Sequence, residues 1–336
     1  MNALAVSGWY EVGMRDFHLA WCGEQPAGSV VSVVRVCSDR PRAQIEAEHR
    51  RFGVERVHVL RARGAAMRQL TKFLPILLIW TLILRARYGA ERIRVTYDGF
   101  GFWATPPWIA RRRVEHFVHD PEPHESGANP LWLGVYRRYS DWLLFRRRWR
   151  ALVVGAEAYA APVEAKCAGR SPVRHDRFPR FDRRLFDRGA APEGLPRRPY
   201  VLFFGRVDRY KGVAEWLADW PFDAPGAPPV VVAGAVLDER VRRFSDRATL
   251  LDRFVAPEEA PALFDGAAAV ALPYRSVTHS GVVDIARSFG KPVYVSDLPF
   301  FEERYRDDPQ VRPMAALVRD LIPAAGPTAA ARGPGG

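Results

Sequence analysis

Ten short runs rich in Val, Ile and Leu, separated by stretches long enough for helices, constrain this chain more than any other feature. The first five are Ser29–Val36, Arg56–Leu60, Arg92–Tyr97, Val114–His119 and Ala151–Gly155. Tyr200–Gly205, Pro229–Gly234, Ala248–Asp252, Ala268–Pro273 and Pro292–Ser296 form a second set. Continuous apolar strands alternating with helices belong to parallel sheets covered on both faces. At the very start, Ala3–Ser7 reads as a short and poor strand. A length of 336 residues allows two such domains at roughly 150 residues each. The expected class is α/β, with two doubly wound domains facing a cleft.

The boundaries follow from where periodicity fails. Residues 1–168 form the expected N-terminal domain, and Gly169–Pro199, crowded with Pro, Arg and Asp, reads as the crossover. Residues 200–322 form the C-terminal domain, and 323–336 (PAAGPTAAARGPGG) is a low-complexity tail expected to be disordered. The three cysteines, Cys22, Cys37 and Cys167, have no metal or redox spacing. They suit a reducing cytosol.

The net charge of +12 rests almost wholly on arginine, since lysine stands only at 72, 166, 211 and 291. Such a balance, with abundant Ala, Gly and Pro, has two readings. It is the imprint of a GC-rich genome, or it serves an anionic partner: a membrane, a nucleic acid or a phosphorylated substrate. No RNP, KH or helix-turn-helix pattern accompanies the arginines, so no nucleic-acid partner is expected. The N-terminus lacks a basic region ahead of an apolar stretch, which speaks against a cleaved signal. Phe73–Leu84 is the most apolar window, yet a bilayer-spanning helix takes about 20 residues. It reads as a helix buried on a sheet or as one dipping into lipid.

Chemistry concentrates in two segments. In Tyr200–Gly212 an apolar strand ends at Gly205, Arg206 and Lys211 follow in one loop, and Gly212 opens a helix. Ligands bind doubly wound sheets where a strand's carboxyl end feeds such a helix. There an arginine fork and a lysine point charge suit a diphosphate, although a solvated basic loop is the plainer reading. In Ala268–Ser296 a strand ends at Leu272-Pro273, and a polar loop carries Thr278, Ser280, Gly281 and Val282 into a second helix that stops at Gly290. That helix N-terminus reads as an anion anchor or as a simple cap.

Taken together, Gly205-Arg206, Lys211-Gly212, Leu272-Pro273-Tyr274, Ser280-Gly281-Val282 and Gly290-Lys291-Pro292-Val293 resemble the C-terminal half of family-4-type GT-B glycosyltransferases. The resemblance covers Tyr200 to about Glu303 well and the N-terminal half loosely. It implies a GT-B fold, a nucleotide-sugar donor linked to UDP or GDP, and no cofactor or metal. It implies that Gly205, Arg206 and Lys211 hold the donor diphosphate, with the Ser280–Val282 turn, beside Thr278, as a second anchor. It also implies two glutamates flanking that turn. The expected places fall near Val277 or Thr278 and near Ile285, neither of which is Glu. Asp284 is the nearest acid, one residue out of register, or about 100° around a helix.

On the acceptor side, Gly8 and Gly13 form a glycine-rich turn after the first strand, which reads as a close backbone approach or an ordinary loop. His119 and Asp120 follow a strand, as does Asp98; these are the available acid–base groups. His119 with His124 as a metal pair lacks an evident third ligand. Tyr136–Arg150 interleaves aromatics with arginines, suiting an anionic lipid surface or a surface helix with snorkelling arginines. The functional expectation is sugar transfer to a glycan or lipid-linked acceptor in cell-surface polysaccharide or glycoconjugate synthesis, with retention favoured over inversion. Its place is the cytoplasm, or the inner face of the cell membrane as a peripheral protein. The rival is a non-catalytic GT-B-like scaffold that binds a nucleotide diphosphate without transfer.

Overall fold

The computed structural model describes residues 3–8, 10–11, 14–61, 74–97, 107–119, 138, 141–142, 144–187 and 189–322. Two compact units make up the chain. The first holds Met1–His124, Asn129–Leu185 and Thr278–Asp284; the second holds Glu125–Ala128, Phe186–Val277 and Ile285–Gly336.

Seven strands build the sheet of the first unit: β1 (Ala3–Ser7), β2 (Val30–Val36), β3 (Arg56–Arg61), β4 (Arg92–Tyr97), β5 (Val114–Phe117), β6 (Ala151–Val154) and β7 (Val173–His175). Their order is β3-β2-β1-β4-β5-β6-β7, parallel throughout. The strand expected to be poor is therefore central. β1 pairs with β2 on one side and β4 on the other, and all five of its residues are buried. Small residues suffice there because helices cover both faces of the sheet.

The helices of this unit are α1 (Met14–Gly23), α2 (Arg42–Arg51), α3 (Leu74–Tyr88), α4 (Pro107–Arg113) and α5 (Ala160–Cys167). Side chains of α3, α4 and α5, among them Leu77, Leu78, Ile109 and Val163, share one core with Leu4, Val6, Ile93, Val95 and Leu152 of the sheet. The apolar window thus proves to be two-faced. Leu77, Leu78 and Leu84 are buried while Ile76, Ile79 and Ile83 are exposed. Phe73 lies outside the described residues. No helix among the described residues is long and apolar enough to cross a membrane.

The second sheet contains β8 (Tyr200–Phe204), β9 (Val230–Ala233), β10 (Thr249–Leu251), β11 (Ala267–Leu272), β12 (Val293–Val295) and β13 (Val311–Pro313). It runs β10-β9-β8-β11-β12-β13, again all parallel. Its α-helices are α6 (Val213–Asp219), α7 (Ala260–Gly266), α8 (Val282–Ser288), α9 (Pro299–Tyr305) and α10 (Leu317–Leu321). α8 closes as its sequence suggests. Gly290 has φ +70°, its N–H bonds Arg287 O, and Lys291 N–H bonds Ala286 O, which together make a Schellman stop.

Two edge strands, β7 and β13, were not expected. Each has three residues with largely exposed side chains, so neither carries an apolar run. β7 lies within 169–199, the segment read as a crossover, and pairs with β6. β13 ends in a proline, which only an edge position tolerates well. The tail 323–336 lies outside the described residues.

Buried histidines tie α1 and α2 to the first sheet. His18 is hydrogen-bonded to Thr96 of β4 at 2.7 Å and to Ser32 of β2 at 2.8 Å. Ser32 in turn meets His49 of α2 at 2.9 Å. Burial pushes His18 well below the usual histidine value and His49 down to about 4. A neutral folded histidine opposes an unfolded one titrating near about 6.5, so stability is full above that pH and falls as the medium acidifies toward pH 4. For His49 the loss amounts to about 3 kcal/mol. Urea unfolding at neutral and mildly acidic pH should show this slope, and a His49→Gln variant should make it shallower, with His18 carrying the remainder.

Candidate active site

In each sheet the strand order reverses beside the first strand of its unit: between β1 and β4, and between β8 and β11. Loops leaving the carboxyl ends of strands there diverge to opposite faces and open a crevice.

In the second unit that place is occupied by the Arg206–Gly212 loop and by Pro273–Arg275. Arg206 is 60% exposed, and its Nε donates to Oδ2 of Asp208, which is buried, at 2.6 Å. Its remaining N–H groups meet no protein acceptor among the described residues. The other carboxylate oxygen of Asp208 is buried and, among the described residues, without a hydrogen-bond partner. Lys211 is half-buried, with its Nζ 3.6 Å from the centroid of the Tyr274 ring and 4.9 Å from that of Tyr210. Burial draws this ammonium below the ordinary lysine value; Tyr210 partly offsets the effect and Arg206 adds to it.

The two loops are knitted by backbone. Arg275 N–H donates to Tyr210 O at 2.8 Å, and Gly212, with φ +64°, lies where a Cβ would run into the carbonyl oxygen of Pro273. Gly205 has φ +118°. A side chain on Gly234, the next strand's terminal glycine, would strike the Gly205 carbonyl. These glycines let three strand-end loops approach within backbone contact.

In the first unit, Gly8 follows β1. Its N–H donates to Tyr97 O at 2.7 Å, while its carbonyl accepts from Arg35 Nε at 2.6 Å. His119, two residues beyond β5, is 8% exposed and surrounded by the rings of Phe17, Tyr97 and Phe117. Its Nε2 lies 2.6 Å from Thr96 O, a pure acceptor, so Nε2 carries the proton. In the neutral ring Nδ1 is then the acceptor, and it faces His279 Nε2 at 3.3 Å.

His279 belongs to the segment Thr278–Asp284, which packs in the first unit. Gly281 permits that packing, since a Cβ there would enter the Phe181 ring. Thr278, Ser280 and Asp284 are all buried, and Ser280 Oγ has no hydrogen-bond partner among the described residues. Val282 begins α8. Val277 and Ile285 are both buried. Gly13, Asp98, Asp120 and His124 lie outside the described residues. Among the described residues, no group of three or more His, Cys, Asp or Glu could hold a metal ion.

No family model matches the sequence, and no curated protein matches it. Solved structures do. HepE of Anabaena in complex with UDP and glucose superposes with a TM-score of 0.57 at 18% identity, covering 89% of this chain and 81% of that one. Sucrose-phosphate synthase from Thermosynechococcus elongatus gives 0.55 at 16% identity, with 96% and 89% covered. The E. coli trehalose-6-phosphate structure bound with UDP-2-fluoro glucose gives 0.58 at 10% identity, with 96% and 92% covered.

The fold is GT-B. At these identities the likeness is one of architecture, and the site has to be argued from this GT-B chain's own residues. Three of them escaped sequence reasoning. Asp208, two residues from Arg206, is an acid whose spacing could have flagged it as the arginine's anchor. Tyr274 and His279 lie inside segments that drew attention for other reasons. Their roles depend on ring contacts that no local pattern encodes.

Gly212→Ala should destabilise the second unit by about 1–3 kcal/mol, from left-handed strain plus collision with Pro273. Equilibrium urea unfolding measures this, and Gly194→Ala is the control for strain alone, since a Cβ there meets nothing and φ is +79°.

Proposed function

We propose that the chain transfers a sugar from a nucleotide-diphosphate donor to a hydroxyl of a glycan or lipid-linked acceptor, in the making of cell-surface polysaccharide or glycoconjugate. One observation carries the reading. An exposed arginine anchored by a buried aspartate shares a loop with a lysine held against two tyrosine rings, at the switch point of a doubly wound sheet. The bound UDP, glucose and UDP-2-fluoro glucose of the similar structures support it.

In the reaction the acceptor oxygen bonds to the anomeric carbon while the bond from that carbon to the diphosphate oxygen breaks. The electron pair leaves with the diphosphate, so negative charge grows there. Arg206 and Lys211 stabilise that charge, and their positions before reaction spare the reorganisation that water would need. Gly205 lets the backbone approach the phosphates. Thr278, Ser280 and the amides of Gly281 and Val282 form a second anchor, with Ser280 Oγ still unspent. Asp284 takes the ribose contact. Where the reaction inverts configuration, the hydroxyl proton passes to a base, for which His119 and Asp120 are the candidates; Gly8, Gly13 and Asp98 line the acceptor side. The chemistry needs no metal or cofactor, the donor is UDP- or GDP-linked, and the resemblance favours retention. The work is done in the cytoplasm, either free or as a peripheral protein at the inner face of the cell membrane.

A second reading has its own observation. The resemblance places two donor-binding glutamates near Val277 or Thr278 and near Ile285; none of the three is an acid, and all are buried. That favours a scaffold that binds a nucleotide diphosphate without turnover.

Thermal-shift titration with UDP, GDP and ADP separates these from no binding at all. A nucleotide at 100 times its dissociation constant should add about 2.7 kcal/mol of stability, lost in the Arg206→Ala/Lys211→Ala double variant. No shift with any nucleotide overturns the donor site. A shift without transfer or hydrolysis of the matching nucleotide sugars selects the scaffold. Nucleotide affinity should also fall with rising pH earlier than an ordinary lysine would dictate, because Lys211 loses its proton below the usual value. A Lys211→Arg variant, charged throughout, should abolish that dependence in calorimetry.

A further inference from the structure

Helices α3 and α4 present an outward surface that nothing in the transfer chemistry uses. On α3, Ile76, Ile79 and Ile83 are 47%, 58% and 57% exposed. Their spacing of three and four residues puts them in one stripe, and exposed Arg87, four further on, ends it. The opposite side of the helix, with Leu77, Leu78 and Leu84, enters the core that also receives Ile109 and Ala110 of α4. The two helices therefore lie on the same face of the sheet. α4 turns Trp108 outward, 70% exposed, with Arg111 and Arg112 exposed beside it. Arg85 and Arg113 are close enough that, besides burial, the charge of Arg113 draws the Arg85 guanidinium down.

Singly exposed apolar residues need no explanation, but a row of three isoleucines beside an exposed tryptophan does. Its charge setting is one-sided: neither helix contains Asp or Glu, and their last turns hold Arg85, Arg87, Arg111, Arg112 and Arg113. An apolar stripe whose own helices carry cations and no acids matches an anionic bilayer in both respects. Apolar side chains enter the acyl boundary, tryptophan sits at headgroup level, and arginines reach phosphates. With 15 residues, α3 is too short to span the membrane, which takes roughly 20, and is suited to lie in its plane.

We propose that the outward face of α3 and α4 docks the protein onto an anionic phospholipid bilayer through Ile76, Ile79, Ile83 and Trp108, with Arg87, Arg111 and Arg112 on the headgroups. The inference stands apart from the transfer reaction and survives its failure.

Co-sedimentation with phosphatidylcholine vesicles, with and without phosphatidylglycerol, tests it on the full chain. The wild type should sediment with the anionic vesicles and be released by salt, while neutral vesicles leave it in solution. Ile79→Gln/Ile83→Gln should lose most binding. Arg111→Gln/Arg112→Gln should lose roughly 25-fold, about fivefold per arginine at ~1 kcal/mol each. All four side chains are exposed, so both variants should keep wild-type thermal unfolding and nucleotide response. Failure of the wild type to bind anionic vesicles, or equal binding by correctly folded variants, overturns the proposal. So does a concentration-dependent dimer that the isoleucine variant abolishes while vesicles are ignored, which would make the face a contact between copies.

Discussion

Parallel pairing on both sides of β1 and of β8 is the constraint from which the rest follows. A parallel strand cannot return to its neighbour by a tight turn, so every connection crosses a face of the sheet, and both faces are covered. All strands of a sheet then point their carboxyl ends at one edge. Beside β1 and β8 the chain leaves first in one direction and later in the other. The loops that part there are the ones carrying Gly8, Arg206 and Lys211. Chemistry is concentrated where topology leaves room, and the identity of the residues decides what that room can hold.

What makes the second unit's loops a site rather than a gap is close backbone approach. Gly205, Gly212 and Gly234 all have positive φ, and side chains on the latter two would collide with neighbouring carbonyls. That contact presses Tyr274 against Lys211 and fixes an ammonium in a partly dry setting, where a charge is worth more than in water. Arg206 is handled in the opposite manner. It remains in solvent with, among the described residues, only its Nε tied to Asp208, so its orientation is set while most of its donors stay unspent. One cation is held by burial and the other by an anchor.

Legibility followed the range of the interactions. The Gly290 stop of α8 and the positions of the first-set and second-set strands were readable because apolar runs and end signals are local. Asp208, although only two residues from Arg206, was readable in principle but carries no signature until the ion pair is seen. β7 and β13 were not, because three-residue edge strands with exposed side chains need no apolar run. The window 73–84 is a different case. Leucine and isoleucine on all sides of a helix erase the periodicity that would tell an inner face from an outer one, so buried and lipid-facing readings looked alike. Packing separated them by covering Leu77 and Leu78 and leaving Ile79 and Ile83 uncovered.

The sequence by itself determined the α/β class, the two sheets and the loop that carries Arg206 and Lys211, because strand burial and turn chemistry are written in neighbouring residues. Only the tertiary structure decided that Ala3–Ser7 is a central strand, that His119 keeps its proton on Nε2 against Thr96, and that His279 packs with it. Those outcomes join residues as far as 160 positions apart. No local pattern records which distant groups will share a dry interior, since that choice is made by the sum of the packing.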